Sequence, residues 1–191
     1  MGTERTYNFK PVEDLVFTDD FMFGAVMREP EICKGILERL LHTGIDHIEY
    51  PASLAETHGW QTDSRPVRGA SRNVRAGERV EDIGKRTRYY QSMIDMDSLL
   101  KGAVYSELKE SYVIFICTND PFESGLPAYT FERKCREDAV VELKDETHHL
   151  IFNASAYEQE NDPELRDFLS FVKNNTAGSE LHRQNFTKAY E

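Results

Sequence analysis

The sequence predicts an α/β protein, a small mixed sheet flanked by helices, and three stretches carry that expectation. Between Lys85 and Lys101, the residues Tyr89, Met93, Met96 and Leu100 recur at the spacing of one helical face, while Arg86, Arg88, Asp95 and Lys101 lie off it. That pattern predicts a helix of about four turns. Tyr112 to Cys117, YVIFIC, is an unbroken apolar run rich in β-branched and aromatic residues, which predicts a strand covered on both faces. Glu31 to His42 carries two adjacent apolar rows, Ile32, Ile36, Leu40 and Cys33, Leu37, Leu41, and so predicts a second amphipathic helix to lie on that strand.

Taken in order, residues 1–16 read as a lead-in with a short apolar anchor at Val12, Leu15 and Val16. Thr18 or Asp19 can cap a helix from Asp20, whose core contacts are Phe21, Phe23, Val26 and Met27, because a side-chain oxygen there accepts an orphan amide of the first turn. Pro30 fits the first turn of the Glu31 helix, and Gly44 is its expected terminator. Ile45 to Tyr50 predicts a short strand limited by Pro51. Residues 53–84 hold one tryptophan, little apolar periodicity and many arginines, and read as an irregular loop or disordered insert. A structureless stretch of that length is unusual inside a compact domain. Beyond the central block, Asn119-Asp120-Pro121 predicts a turn, and Ala128–Phe131, Ala139–Leu143 and Leu150–Phe152 predict strands. Asp162-Pro163-Glu164 starts a last helix with a buried stripe of Leu165, Phe168, Leu169 and Val172, closed by Asn174-Asn175. The reading is one domain over residues 17–174, with residues 175–191 as a short tail.

Composition narrows the function classes. No apolar run reaches the roughly 20 residues of a membrane span, and the N-terminus MGTERTYNFKP lacks the apolar core of a secretory signal. The expectation is a cytoplasmic protein without a membrane partner. Cys33, Cys117 and Cys135 are too few and scattered for a disulfide framework or zinc site and read as core thiols. His42, His47, His58, His148, His149 and His182 show no metal-ligand spacing and read as surface residues. The net charge of −11 opposes a general affinity for nucleic acid. Arginine is nonetheless concentrated locally, at Arg65, Arg68, Arg72, Arg75, Arg79, Arg86 and Arg88, and of these Arg65, Arg68, Arg72, Arg75, Arg86 and Arg88 are the candidate contacts for DNA phosphates.

Several separate words identify a resemblance. The block RTRYYQSMIDMDSLLKGAVYSELKESYVIFIC, preceded by Thr18-Asp19-Asp20-Phe21-Met22-Phe23 and followed by Asp120-Pro121-Phe122, resembles the PD-(D/E)XK nuclease-family transposases, also called recombination-promoting nucleases. The likeness spans most of residues 10–172. It implies a restriction-endonuclease-like core, Mg²⁺ as cofactor, DNA as partner and phosphodiester hydrolysis as activity.

In that family an aspartate on one central strand and a Glu-x-Lys or Glu-x-Gln on the next hold the metal, which polarises the phosphodiester and lowers the pKa of the attacking water. The family word near Val-Arg-Leu-Asp-Val is matched here by Val67-Arg68-Gly69-Ala70, so alanine stands where the aspartate is expected. The second word, near Asp-Ile-Glu-Met-Gln, is matched by Glu81-Asp82-Ile83 followed by Gly84-Lys85-Arg86, without its glutamate and glutamine. The strings Glu107-Leu108-Lys109 and Glu142-Leu143-Lys144 repeat the Glu-x-Lys letters, but the first precedes a strand and the second has no partner aspartate at hairpin distance. The expectation is a chain with no catalytic and no metal-binding residues, with its active-site strands disrupted between Trp60 and Gly84, and with no bound Mg²⁺. Well-matched words on both sides of an arginine- and glycine-rich filler are what a local reading-frame slip or deletion leaves. The alternatives are a non-catalytic DNA- or protein-binding relative and a decaying remnant. An unrelated α/β interaction domain is a further one.

Overall fold

The computed structural model describes residue 17 and residues 20–49, 59–62, 66–72, 80–100 and 104–174. Two short helices come first, α1 (Asp20–Val26) and α2 (Pro30–Leu41), followed by the strands β1 (Ile48–Glu49), β2 (Gly59–Thr62) and β3 (Pro66–Arg72). The long helix α3 (Val80–Leu100) leads to β4 (Ser111–Cys117), β5 (Ala128–Phe131), β6 (Thr147–Asn153) and α4 (Pro163–Asn174). These strands form one mixed sheet of 6 in the order β1-β2-β3-β4-β6-β5. The pairs β3–β4 and β4–β6 are parallel, whereas β1–β2, β2–β3 and β5–β6 are antiparallel.

The run Tyr112–Cys117 is central because both of its edges are paired and both of its faces are covered. Side chains alternate across a strand, so Ile114 and Ile116 join a core with Phe23 and Met27 of the α1 region, Cys33, Ile36, Leu37 and Leu40 of α2, and Leu165, Leu169 and Val172 of α4. Val113, Phe115 and Cys117 form a second core with Ile83 and Ile94 of α3 and Ile151 of β6. Each valine, leucine, isoleucine, phenylalanine and methionine among them contributes about 1.5–3 kcal/mol by leaving water. Three helices therefore pack on one face of the sheet and one on the other.

Local signals account for the helix ends. Pro30 occupies the start of α2, and the Asp162 carboxylate accepts from the Leu165 amide at 2.9 Å to cap α4. The end of α2 differs from expectation, since the chain turns off at His42, with a left-handed φ of 50°, rather than at Gly44. His42 lies 3.7 Å from Asp162 and Arg39 3.5 Å from Glu164, which ties α2 to α4 at the surface. The Lys173 ammonium donates to the Thr118 carbonyl at 3.1 Å and ties α4 to the end of β4.

The structure corrects several expectations. Residues 53–84 are not one irregular segment, because they hold β2, a regular seven-residue β3 paired on both edges, and the first turn of α3. One strand expected to be disrupted is thus continuous. Helix α3 starts at Val80 rather than near Arg86, and it buries a different face from the one its periodicity indicates. Ile83, Thr87, Gln91 and Ile94 are buried, whereas Tyr89 and Met96 are 60% and 57% exposed. The reason is hydrogen bonding: Thr87 donates to the Gly84 carbonyl at 2.7 Å, and Gln91 Nε2 donates to Ser111 Oγ at 2.8 Å and Asp95 Oδ1 at 2.9 Å. Polar side chains so paired can face a sheet. Ala139–Leu143 is not a strand but a turn with a single antiparallel bridge, Lys134 to Glu142, and Val140 is 87% exposed. The strand expected at Ile45–Tyr50 is reduced to Ile48–Glu49 within the described residues. Cys33 and Cys117 are core thiols, but Cys135 is half-buried in the 132–146 connection. The expected helix cap at Thr18 or Asp19, the lead-in and the tail lie outside the described residues.

Candidate nucleic-acid interface

Helix α3 crosses from β3 to β4 and so carries Arg86 over the sheet. The Arg86 guanidinium lies 5.0 Å from the centre of the Phe115 ring and 6.0 Å from that of Tyr90. Stacking on a ring face holds a guanidinium by about 0.5–2 kcal/mol and leaves its planar donors unused. Arg86 is half-buried, and no carboxylate among the described residues pairs with it. Such a group is suited to a bidentate contact with phosphate or carboxylate oxygens.

Register sets two more predicted arginines at backbone positions on either side of that ring. On β3, Ala70 stands opposite Phe115, the residue under the Arg86 guanidinium, while Arg68 stands opposite Val113 and Arg72 opposite Cys117. Arg68 and Arg72 are therefore placed about 13 Å apart along the strand, on the two sides of that point. Arg88 is exposed, and its carbonyl accepts from Ser92 Oγ at 2.9 Å. It lies off the face that α3 turns to the sheet. Arg65 and Arg75 lie outside the described residues. Of the six arginines singled out in the sequence, Arg68, Arg72 and Arg86 have backbone positions near Phe115.

Among the described residues, none of the carboxylates is placed as the Mg²⁺ site implied by the resemblance would need. Strands β2 and β3 read GWQT and PVRGASR and contain no carboxylate. The second family word falls on a helix, since Glu81, Asp82 and Ile83 form the first turn of α3 and not a strand beside β3. Glu107 closes a helical turn before β4, and Glu142 sits in the exposed 132–146 connection. Among the described residues no group of three His, Cys, Asp or Glu is placed to hold a metal ion. Hard-cation sites need several converging oxygens.

Two polar clusters were missed in the sequence. At the start of β4, Glu110 accepts from the Tyr112 hydroxyl at 2.6 Å and from His148 Nε2 at 2.9 Å, and the Tyr112 and His148 rings stack at 4.6 Å. His148 and His149 are thus half-buried strand residues rather than surface histidines. Burial lowers the pKa of His149 below its usual 6.5, helped by Arg133 and His148 and opposed by Asp145. At the other end of β4, Asp120 accepts from the amides of Phe122 at 2.9 Å and Gly125 at 2.6 Å and from the Tyr129 hydroxyl at 2.8 Å. Burial raises the Asp120 pKa, but these bonds outweigh it and hold the group below 3.8. The one signal available in advance was Asp120-Pro121, read as a turn.

Comparison with known proteins adds no neighbour: no family model, no curated protein and no solved structure matches the chain. No helix among the described residues is long and apolar enough to cross a membrane.

Proposed function

We propose that this chain is a non-cleaving relative of the PD-(D/E)XK transposases that retains a capacity to hold a nucleic-acid backbone. The observation that carries the reading is the Arg86 guanidinium, half-buried on Phe115 without a carboxylate partner among the described residues and flanked in register by Arg68 and Arg72. A restriction-endonuclease-like core is supported by the order of elements, an antiparallel β1-β2-β3 followed by α3 and a parallel β4. Loss of cleavage is supported by Ala70 on β3, where the family has its aspartate, by the absence of acidic residues from β2 and β3, and by the helical state of Glu81-Asp82-Ile83. Electrostatic contact from one patch must work against a net charge of −11, so binding is weak and falls steeply with salt.

The test is fluorescence anisotropy of a short DNA duplex titrated with the full chain at several salt concentrations. The expected dissociation constant is roughly 10⁻⁴ to 10⁻⁶ M, and each phosphate contact removed lowers the salt slope by about 0.9. Replacing Arg68, Arg72 and Arg86 together by alanine abolishes binding on this reading, and unchanged affinity in that variant refutes it. Incubation with supercoiled plasmid and Mg²⁺ or Mn²⁺ is expected to leave it intact. Nicking by the wild type that disappears in Glu81→Ala/Asp82→Ala would show that the chain cleaves after all.

A further inference from the structure

Helix α3 covers its face of the sheet by itself, and much of what it lays there is polar. Among the described residues, its fully buried apolar side chains are Ile83 near its start and Ile94 about three turns on. Half-buried Tyr90 leans on Phe115 with ring centres 5.9 Å apart. Between the two isoleucines stand Thr87 and Gln91, both buried. The Thr87 hydroxyl bonds within the helix, to the Gly84 carbonyl, and Gln91 Nε2 reaches the sheet at Ser111 Oγ. Ser111 pairs with Thr147 and Val113 with His149. Because Val113 faces α3, alternation along the strands turns Ser111, Thr147 and His149 the same way. In this layer Gln91 Oε1, Thr147 Oγ1 and His149 Nε2 are buried without a hydrogen-bond partner among the described residues. The opposite face differs, since α1, α2 and α4 close around Ile114 and Ile116 with apolar side chains.

We infer that α3 is a lid, which lifts from β4 and β6 while the α1–α2–α4 face stays packed. Segments with few buried apolar contacts open at lower free energy than the core around them. Lifting α3 exchanges the Gln91–Ser111 bond for bonds to water, an exchange of small net cost. Gln91 Oε1, Thr147 Oγ1 and His149 Nε2 gain water on opening and give up no protein partner among the described residues. Opening uncovers Val113, Phe115 and Cys117 of β4 and Ile151 of β6. It also lifts the Arg86 guanidinium off the Phe115 ring, so that stacked arrangement belongs to the closed state.

Two buried thiols report on the two faces: Cys117 lies beneath α3, and Cys33 sits on α2 in the opposite core. The full chain with Cys135→Ser is treated with iodoacetamide, and modification of each thiol is followed by peptide mass spectrometry and normalised to its rate in concentrated urea. In native buffer Cys117 should be modified at least about tenfold faster than Cys33. Its rate should also depend less on urea, because lifting the lid exposes less surface than global unfolding. Equal normalised rates would mean that both thiols are reached only by global unfolding and would refute the lid, as would faster modification of Cys33. Thr147→Val keeps the side-chain shape and removes a buried hydroxyl, so it should slow Cys117 modification by about fivefold or more. Thr147 pairs with Ser111 at the start of β4, whereas Cys117 ends that strand, so slowing at Cys117 reports the lid and not fraying of the strand end. An unchanged or faster rate in Thr147→Val overturns the assignment. The comparison of the two thiols needs only the Cys135→Ser change, outside both cores, so it stands even if Thr147→Val fails to fold.

Discussion

Replacing Asp120 by alanine should loosen the whole β4–β5 connection. One carboxylate accepts the Phe122 amide, the Gly125 amide and the Tyr129 hydroxyl, at 2.9, 2.6 and 2.8 Å. Glu123 and Gly125 adopt left-handed φ of 54° and 76° within the same loop, so the acceptor holds a backbone that is otherwise unfavourable. The loop in turn places Phe122 against Tyr129 and Phe131, with ring centres 4.7 and 5.2 Å apart. The carboxylate is half-exposed, so each bond is credited with about 0.5–1.5 kcal/mol rather than the larger value of a buried charge. Three such bonds give a loss of roughly 2–4 kcal/mol for Asp120→Ala and about half of that for Asp120→Asn, which keeps one acceptor. In a chain of 191 residues each kcal/mol lowers the melting temperature by roughly 2–4 °C. Urea unfolding followed by circular dichroism measures the difference directly. Its pH dependence provides a second check: a folded pKa below 3.8 means that the stabilisation is present above that value and is lost as pH falls through the folded pKa. The gap between wild type and Asp120→Ala should therefore close at strongly acidic pH. A wild-type-like Asp120→Ala at neutral pH, or an Asp120→Asn less stable than Asp120→Ala, would refute the reasoning.

Two further outcomes follow from the helix and the second strand cluster. Gly84 lies in the first turns of α3 with no atom within 4 Å of where a Cβ would stand, so Gly84→Ala should stabilise the chain by about 0.5–1 kcal/mol in thermal or urea unfolding. An unchanged or lowered midpoint would count against a helix at that position. The lowered pKa of His149 means that the unfolded chain binds the proton more readily, so its stabilisation is present above 6.5 and declines as pH falls below that value toward the folded pKa. The groups acting on it are Arg133, His148 and Asp145. His149→Phe should flatten the fall in stability just below pH 6.5 relative to wild type; an equal slope in both would sink this assignment.

Local pattern was enough wherever an element's own residues dictate its state. The sequence determined Tyr112–Cys117 as a strand covered on both faces because six consecutive apolar residues cannot be left in water. It determined Ala128–Phe131 with the observed ends, and the Asp162–Pro163 start of α4, because capping and proline chemistry act over three or four residues. It also found the arginines, as a composition rather than a surface. What the tertiary structure decided depends on partners distant in the chain. PVRGASR has no apolar alternation, and β3 exists because β2 and β4 offer their backbone groups on its two edges. The face that α3 buries was invisible for the same reason: Gln91 looks solvent-facing until Ser111, 20 residues beyond it, supplies a hydrogen-bond partner. Strand propensity failed in the opposite sense at Val140 and Val141, two β-branched residues that stay 87% and 52% exposed beside a single bridge, Lys134 to Glu142. The arginine constellation follows that rule too, since only the β3–β4 register sets Arg68 and Arg72 on either side of Phe115, and only the crossing of α3 lays Arg86 upon it.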